Sequence, residues 1–472
     1  MKSNLKTNFI YNSAYQILSM IVPLVTTPYI SRVLGADGVG IYSYNYSIAA
    51  YFVMFILLGL NNYGNREIAI ERSCKEKVSR KFWSIYSLQI LLGIFINLLY
   101  FFYCIFIAPN QVVALTLLFY TLSGIFDINW FFFGMEEFRV TVIRNTLVKI
   151  LSTVAIFLFV KKPSDINIYT LILSLSFLVS QILLWPYLIK KVYFYKPKLS
   201  EIAFHIKPNL FLFLTVVAVS IYRTMDKIML GYLTDNLQVG YFESSEKIIQ
   251  VPMLLITSLG VIMLPRMSNL ANNKKSTESK KLINKSIVFA MFLSSSLCFG
   301  IMGVASEFVP LFFGKGFETC IYLFWILLPS CLFLAFANVV RTQYVIPNRL
   351  DKIYVKSVFI GAIVNFLSNS LLIKNYYSIG AAVGTLLAEI AVCVYISYKI
   401  RNDLDISYMV WISVPFIISG IIMFSVLLNV KLPFESLSSI MLSKILIGVP
   451  IYMGSLLLQI IIIKLTKKLF NF

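Results

Sequence analysis

Residues 8–60 read NFIYNSAYQILSMIVPLVTTPYISRVLGADGVGIYSYNYSIAAYFVMFILLGL: two apolar runs, 8–31 and 38–60, separated by Arg32-Val33-Leu34-Gly35-Ala36-Asp37. Each run supplies the roughly 20 residues that a helix needs to cross the hydrocarbon core of a bilayer. Lipid offers no hydrogen bonds, so a spanning segment must satisfy its own backbone, and these runs are read as helices. A transmembrane barrel would instead show short alternating segments. The pattern predicts two membrane helices joined by a tight turn.

Working outward, the same pattern recurs to the end of the chain. Apolar blocks near 38–60, 82–107, 111–133, 140–160, 167–189, 208–232, 237–264, 286–306, 320–340, 354–373, 377–398, 410–428 and 440–463 follow the first, giving about fourteen transmembrane helices. Of 472 residues, 59% are hydrophobic and 13% charged, and the mean hydropathy is +0.82. A soluble domain with that much apolar side chain would aggregate. The expected class is an all-α polytopic membrane protein.

The net charge of +20 would suit a nucleic-acid binder only if it formed a basic soluble face. Here the cations sit in short loops, and they alternate. With the N-terminus inside, 29 of the 41 Lys and Arg fall on the inner side, six on the outer side (Arg32, Lys161, Lys162, Lys315, Lys374, Lys431) and six within spans. That asymmetry follows the positive-inside rule and predicts cytoplasmic N- and C-termini. No nucleic-acid partner is expected. Six scattered cysteines carry neither metal-ligand spacing nor a disulfide framework. His205, the single histidine, stands in a basic loop and reads as a solvated side chain. The N-terminus, with Lys2 and Lys6 before the first run and no small-residue cleavage site, reads as a retained signal anchor.

The turn after the first helix, Leu34-Gly35-Ala36-Asp37-Gly38-Val39-Gly40-Ile41-Tyr42, has a counterpart after the seventh, Leu233-Thr234-Asp235-Asn236-Leu237-Gln238-Val239-Gly240-Tyr241. Both place Val-Gly ahead of an aromatic at the start of the next span. Six helices separate them, so the repeats share topology about an axis along the membrane normal. The expected organisation is a six-helix bundle over 1–199, a second over 200–408 and an appended helix pair over 409–472, with the two bundles around a central cavity.

Four stretches carry a family resemblance: Tyr29-Ile30-Ser31-Arg32-Val33-Leu34-Gly35 with Gly38-Val39-Gly40-Ile41-Tyr42; Asp127-Ile128-Asn129-Trp130-Phe131-Phe132-Phe133-Gly134-Met135-Glu136; Met225-Asp226-Lys227-Ile228-Met229-Leu230-Gly231 with Val239-Gly240-Tyr241; and Gly380-Ala381-Ala382-Val383-Gly384-Thr385 before Glu389. Their order resembles that of the Wzx-type O-antigen and capsule flippases of the multidrug/oligosaccharidyl-lipid/polysaccharide exporter superfamily. The resemblance covers nearly the whole chain. It implies a V-shaped cavity lined mainly by helices one, two, seven and eight. It also implies a flippase, not an enzyme, in the bacterial inner membrane. Such a protein turns undecaprenyl-pyrophosphate-linked repeat units from the inner to the outer leaflet by alternating access, with other polysaccharide-assembly proteins as further partners.

Charges inside spans are costly and face a cavity or one another. The seventh span carries Arg223, Asp226 and Lys227, and the eighth carries Glu243, Glu246 and Lys247. Spacings of three and four put each set on one helical face. Arg223 and Lys247 are candidate cations for an anionic headgroup. Asp226, Glu243 and Glu246 are candidates for a coupling H⁺ or Na⁺, or simply neutralise neighbouring cations. No other cofactor and no metal site is expected. Asn12 and Gln16, with Asn8, make a polar stripe on helix one, and Tyr42 and Tyr46 add aromatic faces on helix two. These groups suit sugar hydroxyls and rings, or else serve as interhelical glue. Near the cytoplasmic side, Arg66 and Arg144 offer guanidinium forks suited to pyrophosphate. Asp127 on helix four has a depth between Arg144 and Lys149 on helix five, so a structural ion pair between the two helices is the competing account. Pro23, Pro28 and Pro252 mark kinks, static or moving.

Two other functions compete. A drug/cation antiporter of the same superfamily would favour an acidic cavity, but intramembrane cations and acids are balanced at six each. A membrane-embedded glycosyltransferase or polymerase would need catalytic groups in a sizeable outer loop, but the outer loops are short, and the larger cytoplasmic segments 61–81, 190–207 and 265–285 read as basic, solvated connectors with no catalytic constellation.

Overall fold

The computed structural model describes residues 5–273 and 275–469; the side chains of 5–20, 215, 218–219, 221–223, 261 and 463–469 lie outside that description. The described chain is helical, with eleven stretches long and apolar enough to cross a membrane. Two of these are double. Leu5–Leu57 turns at Gly35 (φ 69°, ψ 177°), giving α1 (5–34) and α2 (36–57). Asp351–Ile400 turns at Tyr377 (φ 52°, ψ −132°), giving α11 (351–376) and α12 (378–400). The intervening helices are α3 (Lys75–Phe106), α4 (Gln111–Gly134), α5 (Phe138–Phe159), α6 (Pro163–Ile189), α8 (Asn236–Asn272), α9 (Ser276–Gly303) and α10 (Thr319–Val345), with α13 (Ile406–Asn429) next. With α7 (Ile206–Leu233) and α14 (Leu437–Leu469), fourteen helices match the fourteen apolar blocks.

The two turns differ in cause. Gly35 takes a left-handed φ that costs glycine nothing. Tyr377 takes one without that freedom and is held by its flanks, where Ser378 Oγ donates to Gln238 Oε1 at 2.7 Å. The arms beyond Tyr377 close tightly. A Cβ on Gly384 would stand 2.2 Å from Asn369 Oδ1, and one on Gly380 would stand 2.6 Å from the Leu372 carbonyl. The small residues of that motif let the two arms approach.

The chain forms two compact units, Met1–Gly231 and Tyr232–Phe472. In the first, α7 packs with the preceding helices: Gly231 lies against the Tyr44 ring, and Asn209 lies under Gly59. A core of Tyr63, Phe82, Tyr86, Trp130, Phe131 and Phe132 closes one end. Gly64 makes it possible, since a Cβ there would meet the Trp130 ring at 2.5 Å. The stretch 61–81, which reads as a solvated connector, is therefore partly core: Leu60–Glu71 is helical, with Tyr63 and Ile68 buried.

In the second unit, α13 lies along α9, where Ser295 Oγ donates to the Phe416 carbonyl at 2.6 Å. Tyr452 on α14 donates to the Phe292 carbonyl at 3.2 Å. A buried ion pair, Lys444 to Glu307 at 2.8 Å, ties α14 to the short helix Ala305–Phe312.

Candidate functional site

Helix α4 is not continuous. Its apolar block predicts one helix over 111–133, but helical geometry stops at Phe126 and resumes at Asn129, with Asp127 extended between them. A break in the membrane frees backbone groups that must find partners. Gln89 of α3, fully buried, supplies them: its amide Nε2 donates to the carbonyls of Gly124 (2.7 Å) and Asp127 (2.9 Å). Its Oε1 in turn accepts from Trp130 Nε1 at 3.1 Å. The Asp127 carboxylate caps the second segment, accepting from the Asn129 backbone N–H at 2.9 Å and from Asn129 Nδ2 at 2.7 Å.

Arg144 on α5 completes this arrangement. Its guanidinium donates to the Ser180 carbonyl (2.6 Å), Gln181 Oε1 (3.1 Å), Asn129 Oδ1 (2.9 Å) and Asn145 Oδ1 (2.6 Å). The fork thus joins α4, α5 and α6, and Asp127 sits within its electrostatic reach. The sequence puts Asp127 between Arg144 and Lys149 in depth and leaves open which of them it meets. It does not reveal Asn129, Asn145 and Gln181 as the bridging amides.

Tyr42 and Tyr46 on α2 form part of a ring cluster. They stack on each other at 5.5 Å, Tyr42 meets Tyr169 edge-on at 5.0 Å, and Tyr46 contacts Tyr120 at 4.9 Å and Phe177 at 6.1 Å. Tyr120, Tyr169 and Phe177 escaped the sequence reading because α4 and α6 offer many aromatics and no rule selects among them. Tyr169 is buried and the other four rings are half-buried.

Arg66 is separate from this group. It projects from Leu60–Glu71 with 58% of its side chain exposed, 3.6 Å from Glu67. On α7, Asp226 is buried, and the Tyr51 hydroxyl of α2 faces it together with Ser220. The side chains of Arg223, Asn12 and Gln16 lie outside the described residues. In the second unit, Lys247 and Glu243 on α8 pair at 3.2 Å, one helical turn apart, and Glu246 is half-buried on the same helix. Glu389 on α12 is buried, with Oε2 lacking a hydrogen-bond partner.

At the basic ends of the helices, ion pairs dominate. Arg72 pairs with Glu136 and Lys191 with Glu137. Glu201 accepts from Arg80 Nε at 2.7 Å and from the Lys198 N–H at 2.8 Å. The Lys198 N–H and then Arg80 hold its carboxyl down at about 2. His205 is a correction to the sequence reading. It is buried, with Nδ1 2.6 Å from the Tyr63 hydroxyl. Burial, and then the charge of Lys81, push its imidazole down to about 4.

Residues 5–271 match the family model described as polysaccharide biosynthesis protein. The chain belongs to that family. A protein of Escherichia coli (strain K12) named as an O-antigen transporter is 24% identical over 409 residues, covering 85% of this chain and 98% of its own length. Among solved structures, the lipid II flippase MurJ in an inward closed conformation superposes with a TM-score of 0.76 at 15% identity, covering 95% of this chain and 98% of that one. An inward-facing multidrug resistance MATE family transporter of the MOP superfamily gives 0.58 at 13% identity, covering 83% and 98%. This member of the polysaccharide biosynthesis family therefore has the MurJ/MATE fold, and its named relative is a transporter rather than an enzyme.

Proposed function

We propose that this multi-pass membrane protein is a flippase for lipid-linked oligosaccharide. It moves undecaprenyl-pyrophosphate-linked repeat units from the inner to the outer leaflet of the bacterial inner membrane by alternating access. The observation that carries this reading is the match, within the polysaccharide biosynthesis family, to a protein named as an O-antigen transporter over 98% of its length. The loop charges support cytoplasmic termini.

In this reading the polyprenyl tail stays in lipid while the pyrophosphate meets cations in the outer half of the spans, Arg223 and Lys247. The sugars lie along Asn12 and Gln16 of α1 and the ring cluster around Tyr42 and Tyr46. Arg66, exposed at the basic end, meets the headgroup on entry. Glu243 neutralises Lys247 at rest, so loading of H⁺ or Na⁺ on Glu243 frees Lys247 for the headgroup and the two bindings favour each other, with Glu246 and Asp226 as further candidates for the coupling ion. Arg144 contributes by holding α4, since protein acceptors already occupy its fork.

The test is deletion of the gene, with analysis of lipid-linked intermediates. Accumulation of the repeat unit on the inner leaflet, restored to normal by the wild-type gene and not by R223Q/K247Q, is the expected result. Unchanged intermediates together with increased sensitivity to cationic drugs would assign the chain to the antiporters.

A further inference from the structure

The connector between α6 and α7 is fixed in place, yet its outward face is apolar and basic. Ile189, Tyr193, Phe194, Leu199 and Phe204 are 72%, 61%, 81%, 79% and 65% exposed. Lys190, Lys196, Lys198 and Lys207 are exposed among them. Loose loops seldom hold such residues outward, but this one is tied to the start of α3. Trp83 Nε1 donates to the Tyr193 carbonyl at 2.9 Å, and the Tyr193 N–H donates to Ser79 Oγ at 2.9 Å. Lys75 Nζ stands 4.0 Å above the Tyr193 ring, and Phe194 meets Trp83 edge-on at 5.2 Å. Glu201 and His205 pin the other end, to Arg80 and Tyr63.

Depth follows from the length of α3. Its 32 residues span about 48 Å at about 1.5 Å per residue, well beyond the roughly 30 Å hydrocarbon core. The excess lies at the first turns, 75–83, which hold the connector: they carry Lys75, Glu76, Lys77, Arg80 and Lys81 while the far end of the helix is apolar, so they stand in the headgroup layer. Aromatic rings and lysines held at that level match the interface: rings lie among the glycerol and ester groups, and ammonium groups reach lipid phosphates.

We propose that the connector 189–207 is an interfacial foot that binds the headgroup layer of an anionic bilayer, a role that goes beyond translocation of the substrate. Its occupant is the surface of a phosphatidylglycerol-type membrane, chosen by charge complementarity with the four exposed lysines and by continuity with the membrane-embedded length of α3. The foot fixes the height of the α6–α7 joint relative to the bilayer.

Full-length protein carrying Phe194→Cys in a Cys74→Ser background, labelled with an environment-sensitive dye, tests this in bilayer nanodiscs. The other five cysteines are buried. Lipids spin-labelled at the headgroup should quench the dye more strongly than lipids labelled deep in the acyl chain. Headgroup-labelled phosphatidylglycerol should quench more than equally labelled phosphatidylcholine. Replacing Lys190, Lys196, Lys198 and Lys207 by Gln should abolish that preference, with about a fivefold loss of anionic-lipid association per lysine. Absence of lipid quenching, equal quenching by the two lipids in the parent, or an undiminished preference in the four-lysine variant would overturn the proposal. So would loss of the preference on adding inorganic pyrophosphate where sulfate at equal ionic strength leaves it intact, which would reassign the lysines to the transported headgroup. None of these outcomes depends on transport activity.

Discussion

Replacing Arg144 by Gln should destabilise the protein far more than it alters any substrate interaction. The guanidinium makes four hydrogen bonds to α4, α5 and α6, and the Asp127 carboxylate lies within its field. Interhelical hydrogen bonds in membranes contribute about 0.6 kcal/mol each on average and about 1.7 at most. Breaking a buried charged pair by removing one partner costs about 3–5 kcal/mol. Glutamine keeps one or two of the contacts, so R144Q should lose about 3 kcal/mol. R144K should do little better, because an ammonium cannot span acceptors on three helices. The assay is thermal unfolding of purified protein in nanodiscs, run as a double-mutant cycle with Asp127→Asn. Coupling between the two sites should exceed about 0.5 kcal/mol, and D127N/R144Q should be less unstable than the sum of the single changes. R144Q with wild-type melting, no coupling to Asp127 and abolished export would refute the structural role and return Arg144 to the substrate.

Lys444→Met should cost about 3–5 kcal/mol by stranding Glu307 in the second unit, and K444M/E307L should recover most of it on the same melting assay. Gly384→Leu should cost about 1–3 kcal/mol by forcing α11 and α12 apart where Asn369 approaches, measured as a lowered melting temperature. His205 predicts a pH dependence. Its folded imidazole titrates near 4, below the ordinary value near 6.5, so on acidification the unfolded chain takes up the proton first. Stability should therefore be flat above about 6.5 and fall as pH drops from there toward 4, and H205Q, which still accepts from Tyr63, should remove that slope.

The helices were legible because their apolar blocks are long and bounded by loop charge, and the turn at Gly35 because glycine advertises it. The break in α4 was not. Phe126, Asp127 and Ile128 sit inside a continuous apolar window, and the interruption is sustained by Gln89, more than thirty residues away. His205 was misread for the same reason: the Tyr63 hydroxyl that buries it lies 142 positions upstream. The argument extends to charge. Six cations against six acids within spans could not separate an anionic from a cationic substrate, because a count of charges is not a count of charges available to a ligand. Lys444 is matched to Glu307, a carboxylate outside the span reading, Lys247 faces Glu243, and Arg144 is held by backbone and amide oxygens. In a membrane each buried charge must find a partner, and a ligand sees only what those pairings leave. Of these three cations, Lys247 is the one whose partner lies on its own helix and is partly exposed, so that pair can open without any helix moving.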